Sequence, residues 1–336
     1  MKWTAVIFVA LVLALGFWLG RATAPDPESE LASVDSFRRS LEDRDWLTRT
    51  HRYSAFLVGL NPENLPEALE AIEPHRPWLL TDEFRMFMLA WSRFDPRGAF
   101  EHTQTWPLQI RRNAGGAAMY AWGFRNPLEA VRQLSTVENV ALQEFWATRL
   151  LAGWAHSEFR DSASEYIAGM PEGPARGMYL ETLAWEIAKE SPQAVMRWAE
   201  GVPDDPPRFK QGVFLKATYT LAGIDPALTA RWVEGHLDRE YAGSALLIVA
   251  GAWTNKDAPA AMRWLSELPA SKQREAAVRK GFGVWFDHSP RDAERWLKST
   301  SPAPALDPAV RFMVEQTRDK KPEISKGWEE QIAGES

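Results

Sequence analysis

The sequence predicts an all-α fold: a right-handed superhelical solenoid of about eight two-helix repeats, preceded by one transmembrane helix. Three observations lead there. An uncharged, apolar run from Trp3 to Gly20 lies near the start of the sequence. Capped, proline-bearing dipeptides then recur at an even spacing through the rest of it. The stretches between them are apolar at helical periodicity, and none shows the strict alternation of a half-buried strand.

The apolar run, WTAVIFVALVLALGFWLG, is flanked by Lys2 and Arg21. At 1.5 Å per residue a helix of that length spans roughly 27 Å, close to the hydrocarbon thickness of a bilayer. Trp3 and Trp18 stand near its ends, where amphipathic rings prefer the interface. Ala22-Thr23-Ala24 offers the small-x-small pattern of a cleavable signal peptide, but the run is longer than the ~7–15 residues of a usual signal core, and Pro25 would follow the scissile bond. The sequence therefore favours a retained membrane anchor over residues 1–21. Lys2 and the α-amine against Arg21 favour a cytoplasmic N-terminus with the body outside. The chain has no cysteine, and no Asn-x-Ser/Thr sequon follows the anchor. A single-pass protein of the bacterial inner membrane with a periplasmic body fits both facts. Residues 22–44 read as a Pro-, Ser- and acid-rich tether running into a first helix.

The repeat is carried by Asn61-Pro62, Asp95-Pro96, Asn126-Pro127, Ser191-Pro192, Asp225-Pro226 and Ser289-Pro290, with degenerate members at Glu158-Phe159 and Asp257-Ala258-Pro259. The second position of each is its reference, at 62, 96, 127, 159, 192, 226, 258 and 290, an even period of about 33 residues. Asp, Asn or Ser accepts a hydrogen bond from an orphan amide at a helix start, and proline at the first helical position gives up an N–H that has no partner there. Each dipeptide thus opens a short helix. Ala or Val recurs three positions on at Ala99, Ala130, Val195, Ala261 and Ala293. An aromatic recurs six positions on at Trp198, Trp232, Trp264 and Trp296, and seven on at Tyr166. Pro107, Pro171, Pro203 and Pro269 close several of these helices. Before the dipeptides lie longer apolar-periodic stretches, including Phe84–Phe94, Ala141–Ala155, Gly177–Ala188, Gln211–Ala222, Gly243–Thr254 and Glu275–Phe286. A Trp stands five positions ahead of the reference residue at Trp91, Trp122, Trp154, Trp253 and Trp285. In two middle units the aromatic stands seven ahead, at Trp185 and Tyr219, which reads as a drift of the pattern.

Each unit is then a long helix, a tight capped turn and a short helix. Such a unit cannot bury its own apolar face, so neighbours must stack over residues 45–318. That gives the 17 Trp an inter-helix packing role. An aromatic cage for a carbohydrate or a cation is the alternative. Residues 319–336, including Trp328, read as a polar C-terminal tail. The period near 33 and the turn-plus-Ala pattern in SPQAVMRW and DAPAAMRW resemble tetratricopeptide-type solenoids, with HEAT-like repeats, of longer period, as the alternative. The resemblance implies a protein-binding scaffold with a concave groove and transfers no catalytic residue.

Composition narrows the function classes. Net charge is −6, which argues against a nucleic-acid partner. Without cysteine there is no thiol catalysis, disulfide or cysteine-ligated metal. The six His are scattered, with no HExxH motif and no i, i+4 pair, so no metal is expected. Gly281-Phe282-Gly283 lacks a third glycine and a preceding strand, and neither a P-loop nor a GxSxG elbow occurs, so no cofactor is expected. Asp204-Asp205 and Glu329-Glu330 read as solvated carboxylates. One polar pattern does recur: Arg132, Arg197, Arg231, Arg263 and Arg295 all follow the reference residue by five. Stacking would align them into a ladder, which is either a solvated rim with guanidinium–ring contacts or a basic stripe for an acidic peptide. The expectation is a non-enzymatic, membrane-anchored envelope scaffold that binds another protein or peptide. An envelope glycan-acting enzyme and a passive spacer are the rivals.

Overall fold

The structure is a computed structural model that describes residues 30–319 and 321–332. The expected anchor at Trp3 to Gly20 lies outside these residues. Among the described residues there are eighteen α-helices and no strand. None of these helices is long and apolar enough to cross a membrane. The chain divides after Phe159 into two compact units.

The first unit contains α1 (Val34–Glu42), α2 (Trp46–Val58), α3 (Leu65–Ile72), α4 (Thr81–Trp91), α5 (Pro96–Thr103), α6 (Leu108–Arg125), α7 (Pro127–Leu134) and α8 (Val140–Ala155). The second contains α9 (Arg160–Ala168), α10 (Pro174–Ala188), α11 (Pro192–Gly201), α12 (Pro207–Ile224), α13 (Pro226–Glu234), α14 (Ala245–Glu267), α15 (Lys272–His288), α16 (Pro290–Thr300), α17 (Asp307–Thr317) and α18 (Pro322–Glu329).

Most dipeptide caps form as their chemistry dictates, although Ser289 makes no capping hydrogen bond at the start of α16. Asp95, Asn126, Ser191, Asp225 and Asp257 each accept, through the side chain, the backbone N–H three residues on, at 2.8, 3.3, 3.1, 2.9 and 3.0 Å. Asp257 lies within the span of α14 with φ −152° and ψ 86°, so a long and a short helix meet there at a capped kink. Asn61 departs from the pattern. Its side-chain oxygen accepts from the amides of Glu63 and Asn64, making a local turn, and α3 starts three residues beyond Pro62.

Within the first unit α4, α6 and α8 pack in succession. Within the second unit the long helices α10, α12 and α14 do the same, followed by α15 and then α17. Hydrogen bonds tie neighbours about one period apart. Trp146 Nε1 donates to the Arg112 carbonyl at 2.9 Å, and Trp198, Trp232 and Trp264 Nε1 donate to Ser164 Oγ, Glu200 and Glu234 at 2.9, 2.8 and 3.2 Å. Cations cap the C-termini of preceding long helices. Arg93 donates to the carbonyls of Leu57, Val58 and Leu60. Lys256 donates to those of Gly223 and Ile224. Both satisfy carbonyls that a helix end leaves unpaired.

The tightest packing lies between α6 and α8. A Cβ on Gly153 would stand 1.9 Å from the Tyr120 carbonyl oxygen, and one on Gly123 would stand 2.3 Å from that of Leu150. Backbone meets backbone here, which only glycine allows.

Burial corrects three sequence expectations. The pattern does not drift in the middle units. Position minus five is filled there by Ile187 and Leu221, both buried, while Trp185 and Tyr219 are 47% and 59% exposed. Two residues turn a helix by about 200°, so position minus seven faces away from the core. The aromatics six positions into the short helices are not uniformly core: Trp232 is buried, but Trp198, Trp264 and Trp296 are only half-buried. Nor is the C-terminal segment a polar tail throughout. Helix α18 packs on α17, and Trp328 is 1% exposed in a cluster with Leu297, Leu306, Val310 and Met313.

Candidate functional site

The five arginines of the expected ladder each hold the sixth position of a short helix, counted from the reference residue, and all five side chains are exposed. Among the described residues only Arg295 of the five makes an ion pair, with Asp292 one turn back at 2.7 Å. The surroundings of Arg197 are acidic. It lines a cleft of about 790 Å3 between α9, α11 and the 202–206 turn, together with Asp161, Glu165 and Asp205. Glu190 in the same cleft is engaged by Arg160. The cleft floor is held from beneath. Lys210 is buried, and its Nζ donates to the carbonyls of Glu200 and Val202 and faces Asp204 at 3.6 Å. Burial pushes its amine below the usual lysine range, and Asp204 partly offsets that.

The exposed faces of the long helices carry a different chemistry. In the second unit Lys216 on α12 donates to Glu181 on α10 at 2.7 Å. Trp185 follows Glu181 by four residues and Tyr219 follows Lys216 by three, so both rings lie on the face that this ion pair marks. Leu215, Lys216 and Tyr219 line a depression there with Glu181 and with Ile248 of α14.

In the first unit the corresponding face of α4, α6 and α8 holds a cavity of about 340 Å3. Arg85, Arg112 and Arg149, one from each helix, share its wall with Tyr120 and Phe145, over Gly116 and Ala117. The Arg112 guanidinium lies 3.8 Å from the centroid of the Phe145 ring and that of Arg149 lies 5.0 Å from it; Arg85 stands 5.4 Å from that of Tyr120. Among the described residues no Asp or Glu lines the cavity. Sequence reading missed this group because it followed the apolar phase of the long helices and not their polar face. The one available signal was that Arg85 and Arg149 stand at nearly the same offset ahead of their reference positions, 96 and 159.

Among the described residues no three His, Asp or Glu side chains gather as metal ligands. Chemically, the long-helix faces present aromatic rings and cations suited to contact with a partner. No protein-family model, curated protein or solved structure matches this chain.

Proposed function

We propose that this protein is a membrane-anchored α-solenoid scaffold of the bacterial envelope, with no enzymatic activity of its own, that binds a protein or peptide along the exposed face of its long helices. The observation that carries the reading is the position of Trp185 and Tyr219. Both rings stand in solvent on helices whose opposite faces are sealed by Ile187 and Leu221. Large exposed aromatics are the composition of an interface centre, where Trp and Tyr supply much of the binding energy, and the Lys216–Glu181 pair beside them belongs to its polar rim. Stacking supports the repeat part of the reading, because within each unit ties such as Arg49–Glu83 and Trp232–Glu200 join residues 34 and 32 apart. The tetratricopeptide-like character and the retained anchor at Trp3 to Gly20 belong to the same proposal. The reading moves the contact surface from the arginine ladder of the short helices to the aromatic face of the long ones.

The test is photo-cross-linking of the full-length protein in its native membrane, with probes placed at Trp185 and at Trp78, an exposed ring outside the long-helix face. A discrete adduct at position 185 that disappears in Tyr219→Ala supports the reading. Equal, diffuse labelling at the two positions removes its basis.

A further inference from the structure

The arginine cavity of the first unit goes beyond that reading. Several other arginines of the same unit have carboxylate partners: Arg49 with Glu83, Arg52 with Asp43, Arg76 with Glu73 and Arg97 with Glu129. Arg112 and Arg149 have no carboxylate partner among the described residues, and both guanidinium groups sit against the one Phe145 ring. Two like charges on a shared ring are held together at a cost unless an anion joins them. The chain as a whole is acidic, at −6, so the excess of cations here is local.

Geometry supplies the rest. The Phe145 and Tyr120 rings gather three guanidinium groups, whose N–H groups are donors suited to an anion. Gly116 matters to this arrangement. A Cβ there would stand 3.1 Å from Phe145 Cε1 and 3.3 Å from Arg149 Cγ, so the bare backbone is what lets ring and stem settle. Asn113 and Thr81 add neutral hydrogen-bonding groups to the lining.

Charge selects among anions. The carboxylate that pairs with a member of the group is Asp82, 3.4 Å from Arg85 and 71% exposed. Three guanidinium groups against that single carboxylate leave two positive charges. A carboxylate ligand neutralises one of them. A phosphate monoester, carrying about −1.5 to −2 at pH 7, neutralises both and matches the paired N–H edges of arginine with paired oxygens. The geometry points to a site for a phosphate-monoester group, bound by Arg112 and Arg149 and flanked by Arg85. A volume of about 340 Å3 is at the small end of ligand pockets, which suits a phosphorylated glycerol or sugar or a single lipid headgroup.

The test uses the purified full-length protein in neutral detergent at pH 8 and low salt. Calorimetric titrations with glycerol 3-phosphate and with acetate are compared, and sedimentation with phosphatidic-acid vesicles is set against phosphatidylcholine vesicles. The expected result is one saturable glycerol-phosphate site per chain, acetate weaker by about tenfold or more, and a loss of about tenfold in R112Q/R149Q. Arg125→Gln, an exposed arginine of α6 outside the cavity, should bind as wild type. Circular dichroism on R112Q/R149Q should be that of wild type, since both side chains are exposed. Arginine-dependent pelleting with phosphatidic acid but no response to glycerol phosphate assigns the phosphate to a lipid; the converse assigns it to a soluble ligand. Neither response, acetate binding as tight as phosphate, or unaltered binding by R112Q/R149Q each overturns the site. Capture of a partner at Trp185 is a separate measurement, so either proposal can fail alone.

Discussion

Replacing Trp328 with Ala tests the account of the C-terminal segment, because sequence and structure give opposite answers there. Read as part of a polar tail, the residue should cost under about 0.5 kcal/mol to remove. In the structure its ring is 1% exposed within a core shared with α17. A Trp side chain buries about 200 Å2, and at about 25 cal/mol per Å2 its transfer contributes up to about 5 kcal/mol. Its Nε1–H is buried with no hydrogen-bond partner among the described residues, which offsets about 1 kcal/mol of that. The net expectation is a loss of about 3–4 kcal/mol, in the range of other buried Phe or Trp truncations. Trp264 reverses the comparison. The repeat phase predicts a large buried ring there, but it is half-buried, tilted against Trp253 at 5.4 Å and tied to Glu234. Trp264→Ala should therefore cost less, about 1–2 kcal/mol. Urea unfolding followed by circular dichroism measures both, and trypsin sensitivity at Lys321 and Lys326 reports whether α18 has detached. A Trp328→Ala protein as stable as wild type to within about 0.5 kcal/mol, with α18 still protected, would falsify the packing argument.

Two further predictions concern the first unit, with one control in the second. Gly153→Ala should separate α6 from α8 and cost more than about 3 kcal/mol, because the new Cβ meets backbone at 1.9 Å; Gly223→Ala, where a Cβ meets nothing within 4 Å, should stabilise α12 by about 0.5–1 kcal/mol. Thermal melts that rank the two alike would contradict the close approach. His102 sits between Trp91 and Trp106 at 5.4 and 5.5 Å. Burial, with a smaller contribution from Arg76, holds its imidazole below the usual histidine range, while Glu73 pulls the other way. The unfolded chain thus takes up the proton more readily, so stability is full above about pH 6.5 and declines as the pH falls below it. His102→Gln should flatten that part of the stability–pH curve, and an unchanged slope between pH 7 and 5 would show that burial of His102 contributes nothing to it.

The helical framework was legible because its signals are local. A capping side chain and a proline act on amides within the first turn, so Asp95, Asn126, Ser191 and Asp225 announce their helices wherever the chain goes next. Asn61 shows the limit of that logic, since the same side chain can close a turn with Glu63 and Asn64 and delay the helix. The candidate sites were less legible. The arginine ladder was visible as a period, but Arg85, Arg112 and Arg149 share no spacing as a trio and meet only because α4, α6 and α8 pack side by side.

By itself, then, the sequence determined the all-helical class, the regular rhythm of capped turns and most of the helix starts, all of them set by hydrogen bonds and sterics between residues close along the chain. Only the tertiary structure decided which face of each helix is covered. Trp185 and Ile187 are near neighbours and both strongly apolar, and nothing in their own chemistry says which is buried. Trp328 stands in a charged stretch and is nonetheless sealed by α17. Burial depends on what another helix places opposite, and that partner lies far away in sequence, beyond the reach of any local rule.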